Sequence, residues 1–407
     1  MVGLHIVKRS FRFRVYPTDE QQVLLRRTFG CVRVVWNRSL RYRTDAWFGR
    51  KERVNYNASS ALLTTWKREP EFVWLNEVSA VPLQQCLRHQ QAAFTNFFEK
   101  RAEYPNAKLR HGPQAAEFST SAFRWDGTNL ILAKMVEPLR IRWSRQLPKG
   151  AVPSTVTVTV DRAGRWHVSI LCEDQIAPLP RTHRTVGLDF GISALVTLST
   201  GEKILGGNHH RVDLARLGKA QRRLARKQKG SNNKAKAHLK VARVHARIAD
   251  RRRDQLHKLS TRLIRENQTV AIEDLNVRGM VRNHHLARAI ADQGWGELRI
   301  MLGYKAEWYG RELVVIDRWF PSSKRCSACG HVVRRLPLNV RQWACPECAV
   351  EHDRDINAAV NILAAGLAVA ACGDGVRPAH RNGVTASVGE AGNPGERSLE
   401  IPVPQDR

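Results

Sequence analysis

Apolar and basic residues alternate through Phe11-Arg12-Phe13-Arg14-Val15-Tyr16, the period of two that marks a half-buried strand with a charged outer face. Pro17-Thr18-Asp19-Glu20-Gln21 then predicts a helix start, Thr18 capping it and Gln21 answering three residues later. From there to about Lys100 apolar residues recur in steps of three and four: Leu24, Leu25, Thr28, Phe29 and Val32, later Leu83, Leu87, Phe94, Phe97 and Phe98. That spacing predicts a helical module whose aromatic stripe faces its own core. Past Tyr104-Pro105 the period returns to two, in Phe118 to Trp125, Leu130 to Leu132, Leu139 to Trp143, and a hairpin of Thr155 to Val160 and Trp166 to Leu171 turning at Asp161 to Gly164. With the first strand these predict a small β-barrel interrupted by the helical module.

Pro178-Leu179-Pro180 and the basic stretch Arg181 to Arg184 read as a linker. Thr185 to Leu198 is two apolar strands about a turn at Gly191, the first carrying one carboxylate, Asp189. His209 to Asn267 predicts a long helical hairpin, with an apolar stripe at Leu214, Leu217 and Leu224, a break at Gly230 to Asn233, and a second stripe at Val241, Val244, Ile248, Leu256, Leu259 and Leu263. Gln268 to Leu275 is another short buried strand, closing on Glu273. Asn276 to His285 reads as a basic loop able to lie over a site as a lid. A helix over Trp295 to Tyr309, a strand over Glu312 to Asp317 and a last helix over Asn357 to Ala370 follow. The Gly, Pro and small polar residues of Gly373 to Arg407 predict a disordered tail. The fold class is α/β, joined to an all-β and an all-α module.

Charge narrows the partner. Lys and Arg outnumber Asp and Glu by 67 to 37, for a net charge of +30, a balance that asks for a polyanion, nucleic acid first. No stretch approaches the eighteen apolar residues of a spanning helix, and Met1 to Val7 is too short for a signal peptide. A membrane partner is therefore not expected. The hairpin faces concentrate the excess, in Arg222, Arg223 and Arg226 and in the run Arg251, Arg252, Arg253, the candidates for nucleic-acid backbone contact.

Two C-x-x-C pairs, Cys326/Cys329 and Cys345/Cys348, stand fifteen residues apart, the spacing of a tetrahedral structural Zn²⁺ site. The other cysteines, Cys31, Cys86, Cys172 and Cys372, are scattered, which fits a reducing, cytoplasmic compartment. Asp189, Glu273 and an acid of the turn Asp353-Arg354-Asp355 are single carboxylates at strand ends and a helix start, positions that one mixed sheet brings to a common edge. Such a set suits two Mg²⁺ ions about 4 Å apart acting on a phosphodiester. Spacing does not choose Asp355 over Asp353, and Asp274 stands beside Glu273.

Val186-Gly-Leu-Asp189-Phe-Gly-Ile192, Ala271-Ile-Glu273-Asp-Leu275, the cysteine pairs with Trp343, and His352-Asp-Arg-Asp355-Ile-Asn-Ala-Ala359 resemble the split RuvC motifs and embedded zinc ribbon of the TnpB family. These are transposon-encoded RNA-guided endonucleases related to the ancestors of type V CRISPR effectors. Phe11 to Pro17 with Gly30 to Asn37 resembles the family's N-terminal signature, so the likeness covers roughly residues 8 to 365. Phe190 and Ser193 depart mildly from the family pattern; no acid is lost.

The resemblance implies an RNase H-like RuvC nuclease domain (181–325 and 350–370) with an inserted zinc ribbon (326–349), a wedge β-barrel (1–16 and 118–180), a helical recognition domain (17–117) and a tail (371–407). It selects Asp355 as the third metal ligand beside Asp189 and Glu273. It also implies a guide RNA from the end of the mobile element and double-stranded target DNA, cut beside a short adjacent motif. Tyr56, Ser60 and Gln84 align with positions that read that motif. A prokaryotic, nucleoid-associated protein is then expected; its oligomeric state is left open, and guide-RNA binding needs no second copy. Two other readings stay open: a guided DNA-binding regulator that does not cut, and an unguided strand-transfer enzyme.

Overall fold

A computed structural model describes residues 5–371. The tail expected from 371 onward lies, past Ala371, outside the described residues.

Strand β1 (His5–Val15) leads into helix α1 (Asp19–Arg50), which opens on the expected capping box: Gln21 N–H donates to Thr18 Oγ1 and Thr18 N–H to Gln21 Oε1. With α2 (Tyr56–Trp66), a 3-10 segment Pro70–Glu77 and α3 (Ala80–Phe98), it encloses Cys31, Val35, Leu63, Leu75, Leu83 and Leu87. Of the aromatic stripe, Phe94 is buried but Phe98, the last residue of α3, is 58% exposed.

The β module holds β2 (Gln114–Ser119), β3 (Phe123–Trp125), β4 (Leu130–Leu132), β5 (Ile141–Arg142), β6 (Pro153–Val160) and β7 (Trp166–Ile176). β2 takes up the sheet at Gln114, ahead of the expected 118. The antiparallel order is β2-β6-β7-β1-β5, and β3-β4 pair only with each other. The expected barrel is thus an open sheet among the described residues: its ladders do not close, and the β3-β4 hairpin completes the core from one side, with Leu130 and Leu132 against Phe11, Phe13, Val158 and Ile170.

The second sheet gathers β8 (Thr185–Asp189), β9 (Val196–Leu198), β10 (Lys203–Ile204), then, beyond α4 (His209–Val212), α5 (Leu214–Ala225) and α6 (Asn232–Glu266), β11 (Thr269–Glu273). After α7 (Val277–Met280), α8 (Ala287–Gln293) and α9 (Trp295–Tyr309), β12 (Glu312–Ile316) completes the order β10-β9-β8-β11-β12. β8, β11 and β12 are parallel, with Gly187 opposite Ala271 and Leu188 opposite Ile272. The expected lid loop therefore holds α7 and a run of turns before α8. Leu214, assigned to the apolar stripe, is 46% exposed at the start of α5, whereas Leu217 is buried.

Alternation divides the sheet. Val186, Leu188, Val270 and Ile272 pack under Leu256, Leu259 and Leu263 of α6 and Leu298, Met301 and Leu302 of α9. The intervening residues face the last helix, α10 (Arg354–Ala371), reached through β13 (Gln342–Ala344) and β14 (Glu351–Asp353). A Cβ at Gly187 would stand 2.2 Å from Ala359 O and 2.7 Å from Leu363 N, and one at Gly366 would stand 2.6 Å from Ala271 Cβ. Backbone thus lies almost on backbone, which only residues this small allow.

By length and composition α10 is long and apolar enough to cross a membrane, at mean hydropathy 1.2 over eighteen residues, contrary to the expectation that no stretch reaches that size. Here one side of it is core: Ala358, Ala359 and Ile362 are buried against β8, β11 and β12.

Gly187→Ala is expected to push α10 off the sheet, costing about 1–3 kcal/mol in urea unfolding, as overpacking does. A substitution with no measurable cost would show that the close approach is not required.

Candidate active site and metal centre

Gly187 lies under Ala359, so Asp189, two residues on along β8, points from the same face. Asp355 stands one helical turn before Ala359 on the same side of α10. Ala271 meets Gly366 in the same way, and Glu273 is two residues beyond it, at the end of β11. Three carboxylates therefore reach the C-terminal edge of the parallel strands from three elements. Burial raises the Asp189 carboxyl to about 7, with the charges of Asp355 and Glu273 adding to the effect. Glu273 is also raised to about 7, by burial first and by neighbouring Asp274 second. Acids this costly to ionise fit a hard, oxygen-seeking divalent cation.

The two competing acids are already engaged. Asp353 Oδ1 accepts from the Asp355 and Ile356 amides, both at 3.1 Å, and so caps α10, while its Oδ2 takes a 2.8 Å bond from Lys203 Nζ. Burial works against its ionisation, but Lys203 and the amides outweigh it and hold the carboxyl below its usual range. Asp274 is bonded to the guanidinium groups of both Arg299 and Arg318, which lower its pKa. Asp355 keeps looser cationic neighbours, Arg341 at 3.3 Å and Lys203 at 3.7 Å. Lys203 and Arg341 are site residues that sequence reasoning missed. Asp353 was readable as a cap, since an Asp directly before a helical pattern is the ordinary N-cap signal.

The cysteine pairs converge. Sγ of Cys326 lies 3.7 Å from Cys348 and that of Cys329 3.6 Å from Cys345, with all four within 4.8 Å of one another. Four sulfurs about 2.3 Å from one Zn²⁺ would stand just under 4 Å apart, so the set fits a tetrahedral zinc. His352 Nε2 reaches Cys326 Sγ at 3.0 Å, and its ring packs on Trp343. This makes His352 the side-chain support of the sulfur cluster.

Of the basic candidates, Arg222, Arg223 and Arg226 are exposed and have no ion-pair partner among the described residues. The run Arg251 to Arg253 is turned inward instead: Arg251 pairs with Asp213 at 3.0 Å, Arg252 donates to Ala291 O at 2.9 Å, and Arg253 holds Glu297 at 2.8 Å. Three adjacent residues on a helix span most of a turn, so they face different neighbours. Tyr56 and Ser60, one turn apart on α2, lie beside α3, where Gln84 is exposed and Arg88, a turn further on, places its guanidinium 4.7 Å from the centre of the Tyr56 ring.

A mixed α/β sheet with three carboxylates at one edge and a four-cysteine cluster tied to the last helix defines a class of protein with two sets of metal-ligand residues, and comparison with known proteins identifies the kind. The family OrfB_IS605, described as "Probable transposase", matches residues 167–284, and the Cas12f1-like TNB domain matches 295–362. A helix-turn-helix family matches 1–52, although the described part of that stretch is β1 and one unbroken 32-residue helix. A Streptomyces pristinaespiralis protein named for RNA-guided DNA endonuclease activity is 61% identical, over 97% of this chain and 98% of its own. InsQ of Escherichia coli K12, named for the same activity, is 34% identical over 91% and 95%. Among solved structures, the cryo-EM structure of a Cas12f1-sgRNA-target DNA complex matches at TM-score 0.55 and 11% identity, covering 88% of this chain and 98% of that one. The chain belongs to the TnpB family.

Both raised acids favour the protonated folded state, so they lower stability as pH climbs from about 4 through 7. Asp189→Asn is therefore expected to be more stable than the wild type at pH 8 by on the order of 1–2 kcal/mol, and no more stable at pH 4. Thermal melts without Mg²⁺ and without chelator, which leaves zinc in place, measure this; equal melting temperatures at pH 8 would contradict it. Asp353→Ala should cost about 1 kcal/mol of cap stability yet retain the metal-site acids, whereas Asp355→Ala should remove Mg²⁺ binding by calorimetry. The reverse pattern would exchange the two roles.

Proposed function

We propose that the protein is an RNA-guided DNA endonuclease of a mobile element, hydrolysing target DNA at Asp189, Glu273 and Asp355. The observation that carries this is the retention of all three carboxylates at one sheet edge in a chain of charge +30. The names of its relatives and the shared fold of a nucleic-acid-bound effector support it.

On this reading residues 181–325 and 350–370 are a RuvC-like nuclease domain, 326–349 its zinc ribbon, the open sheet a wedge, and 17–113, up to the start of β2, a recognition domain. Guide RNA from the element's end lies against Arg222, Arg223 and Arg226. Tyr56, Ser60 and Gln84, with Arg88, face the adjacent DNA motif. The chain works in the cytoplasm, at the nucleoid.

When bound, a pair of Mg²⁺ ions supplies Lewis acidity and an activated water at the phosphodiester. Asp189 and Glu273 would give the poorly solvated oxygens that hold such ions, whose positive charge would offset the cost of ionising these buried carboxyls. Asp355 completes the set from α10. Lys203 and Arg341 balance its charge and stand ready to meet the phosphate. A guided regulator without cleavage is the second reading; the intact acids count against it.

Expression with the flanking DNA of its own locus should yield protein carrying one discrete RNA whose 3′ end runs past the element boundary. With that guide, the wild type should cut target DNA only when Mg²⁺ is added. Asp189→Ala and Glu273→Ala should each slow cutting by roughly a thousand-fold or more, since the metal is worth several kcal/mol. Variants that cut as fast as the wild type would end the proposal.

A further inference from the structure

Trp319 is 84% exposed, the most exposed tryptophan among the described residues. A tight turn holds it there. Its amide donates to Asp317 Oδ1 at 2.7 Å, the Phe320 amide donates to Asp317 O, and the Ser322 amide to Phe320 O. Phe320 turns inward against the core of Ala271, Ile316 and Ile362, so its neighbour is presented outward. Arg318 is bonded to Asp274, next to Glu273. From the other side Asn361 Nδ2 donates to Ser322 O at 2.9 Å and to Arg325 O at 2.6 Å, fixing the turn to α10. The ring therefore sits on a rigid platform just past the end of β12, the strand end that pairs with Glu273.

Its neighbours along the turn are Asp317 and Arg318 before it and, after it, Phe320, which is drawn into the core, Pro321, Ser322 and Ser323, so the surface around the ring is mostly polar. A flat aromatic face exposed at the end of the strand that pairs with Glu273 suits a nucleobase, and only an unpaired base offers its face. Guide pairing displaces one DNA strand as single strand and so supplies such bases at the cutting site.

We propose that Trp319 stacks on a base of the unpaired DNA strand entering the carboxylate site and so positions the bond to be cut. This rests on the nuclease reading above. Trp319 acts on substrate placement and holds no metal.

The test uses the guide-loaded protein and a target whose cut position has been mapped. Trp319→Ala should slow cutting about ten-fold or more, the scale of one lost base stack, with target affinity unchanged, and Trp319→Phe should recover most of the rate. In the non-cutting Asp189→Ala complex, 2-aminopurine beside the cut should be quenched, and the quenching should disappear in Asp189→Ala/Trp319→Ala. Unchanged cutting and unchanged fluorescence would overturn the proposal. So would a loss of RNA retention or target affinity that accounts for the slower cutting, since the ring would then serve the guide or the docking step. If the wild type run alongside fails to cut, the nuclease reading itself falls and the stacking assignment goes with it.

Discussion

The contact on which the site depends is the crossing of α10 over β8 at Gly187. With 2.2 Å between a would-be Cβ and the Ala359 carbonyl, no side chain can stand between helix and strand. The same crossing brings Gly366 onto Ala271. Two small-residue contacts along one helix fix both its position and its rotation. Asp355, Asp189 and Glu273 lie a turn or two residues from these contacts, so close packing of helix on strand sets much of the geometry of the carboxylates. Strand alternation supplies the rest, since the residues between Gly187, Asp189, Ala271 and Glu273 are the apolar ones that pack under α6 and α9.

The acids oppose folding while that packing favours it. Asp189 and Glu273 are pushed up to about 7 by burial, whereas Asp274, next to Glu273, is held low by Arg299 with Arg318, and Asp353, two residues before Asp355, by Lys203 and backbone amides. One acid in each of these neighbouring pairs is satisfied by protein cations and caps, and the other is left to a metal. Local instability of this kind marks functional sites and is carried by the stability of the surrounding fold.

Much of this was legible in the chain. Period-two alternation located β1, β6 and β7, short apolar runs located β8 and β11, the Thr18 to Gln21 box located α1, and the cysteine spacing located the sulfur cluster, because each is a local rule with a local cause. What was not legible depends on distant partners. Whether the first sheet closes is decided by the pairing of β3 with β4 and not by the strands themselves. The inward turn of Arg251, Arg252 and Arg253 depends on Asp213, Ala291 and Glu297. A run of like charges looks solvated until those partners are known. Lys203 and Arg341 came from a short edge strand and the zinc segment, neither of which carries a sequence signal for a site.

The four-cysteine segment is more than a structural appendage. Asn357, buried on α10, accepts from the Ser327 amide at 2.9 Å and donates to Arg325 O at 2.7 Å, while Asn361 binds the carbonyls of Ser322 and Arg325. Residues 322 to 327 thus enter the ribbon already tied to the helix that carries Asp355. On the far side β14 runs from His352, in contact with Cys326, to Asp353, which caps that helix. The helix start is gripped at both ends of one loop whose own core is little more than Cys326, Trp343 and Cys345. A loop with so small a core would hold its shape through a metal bound by the four sulfurs. Such an ion would also help to fix where the third carboxylate stands.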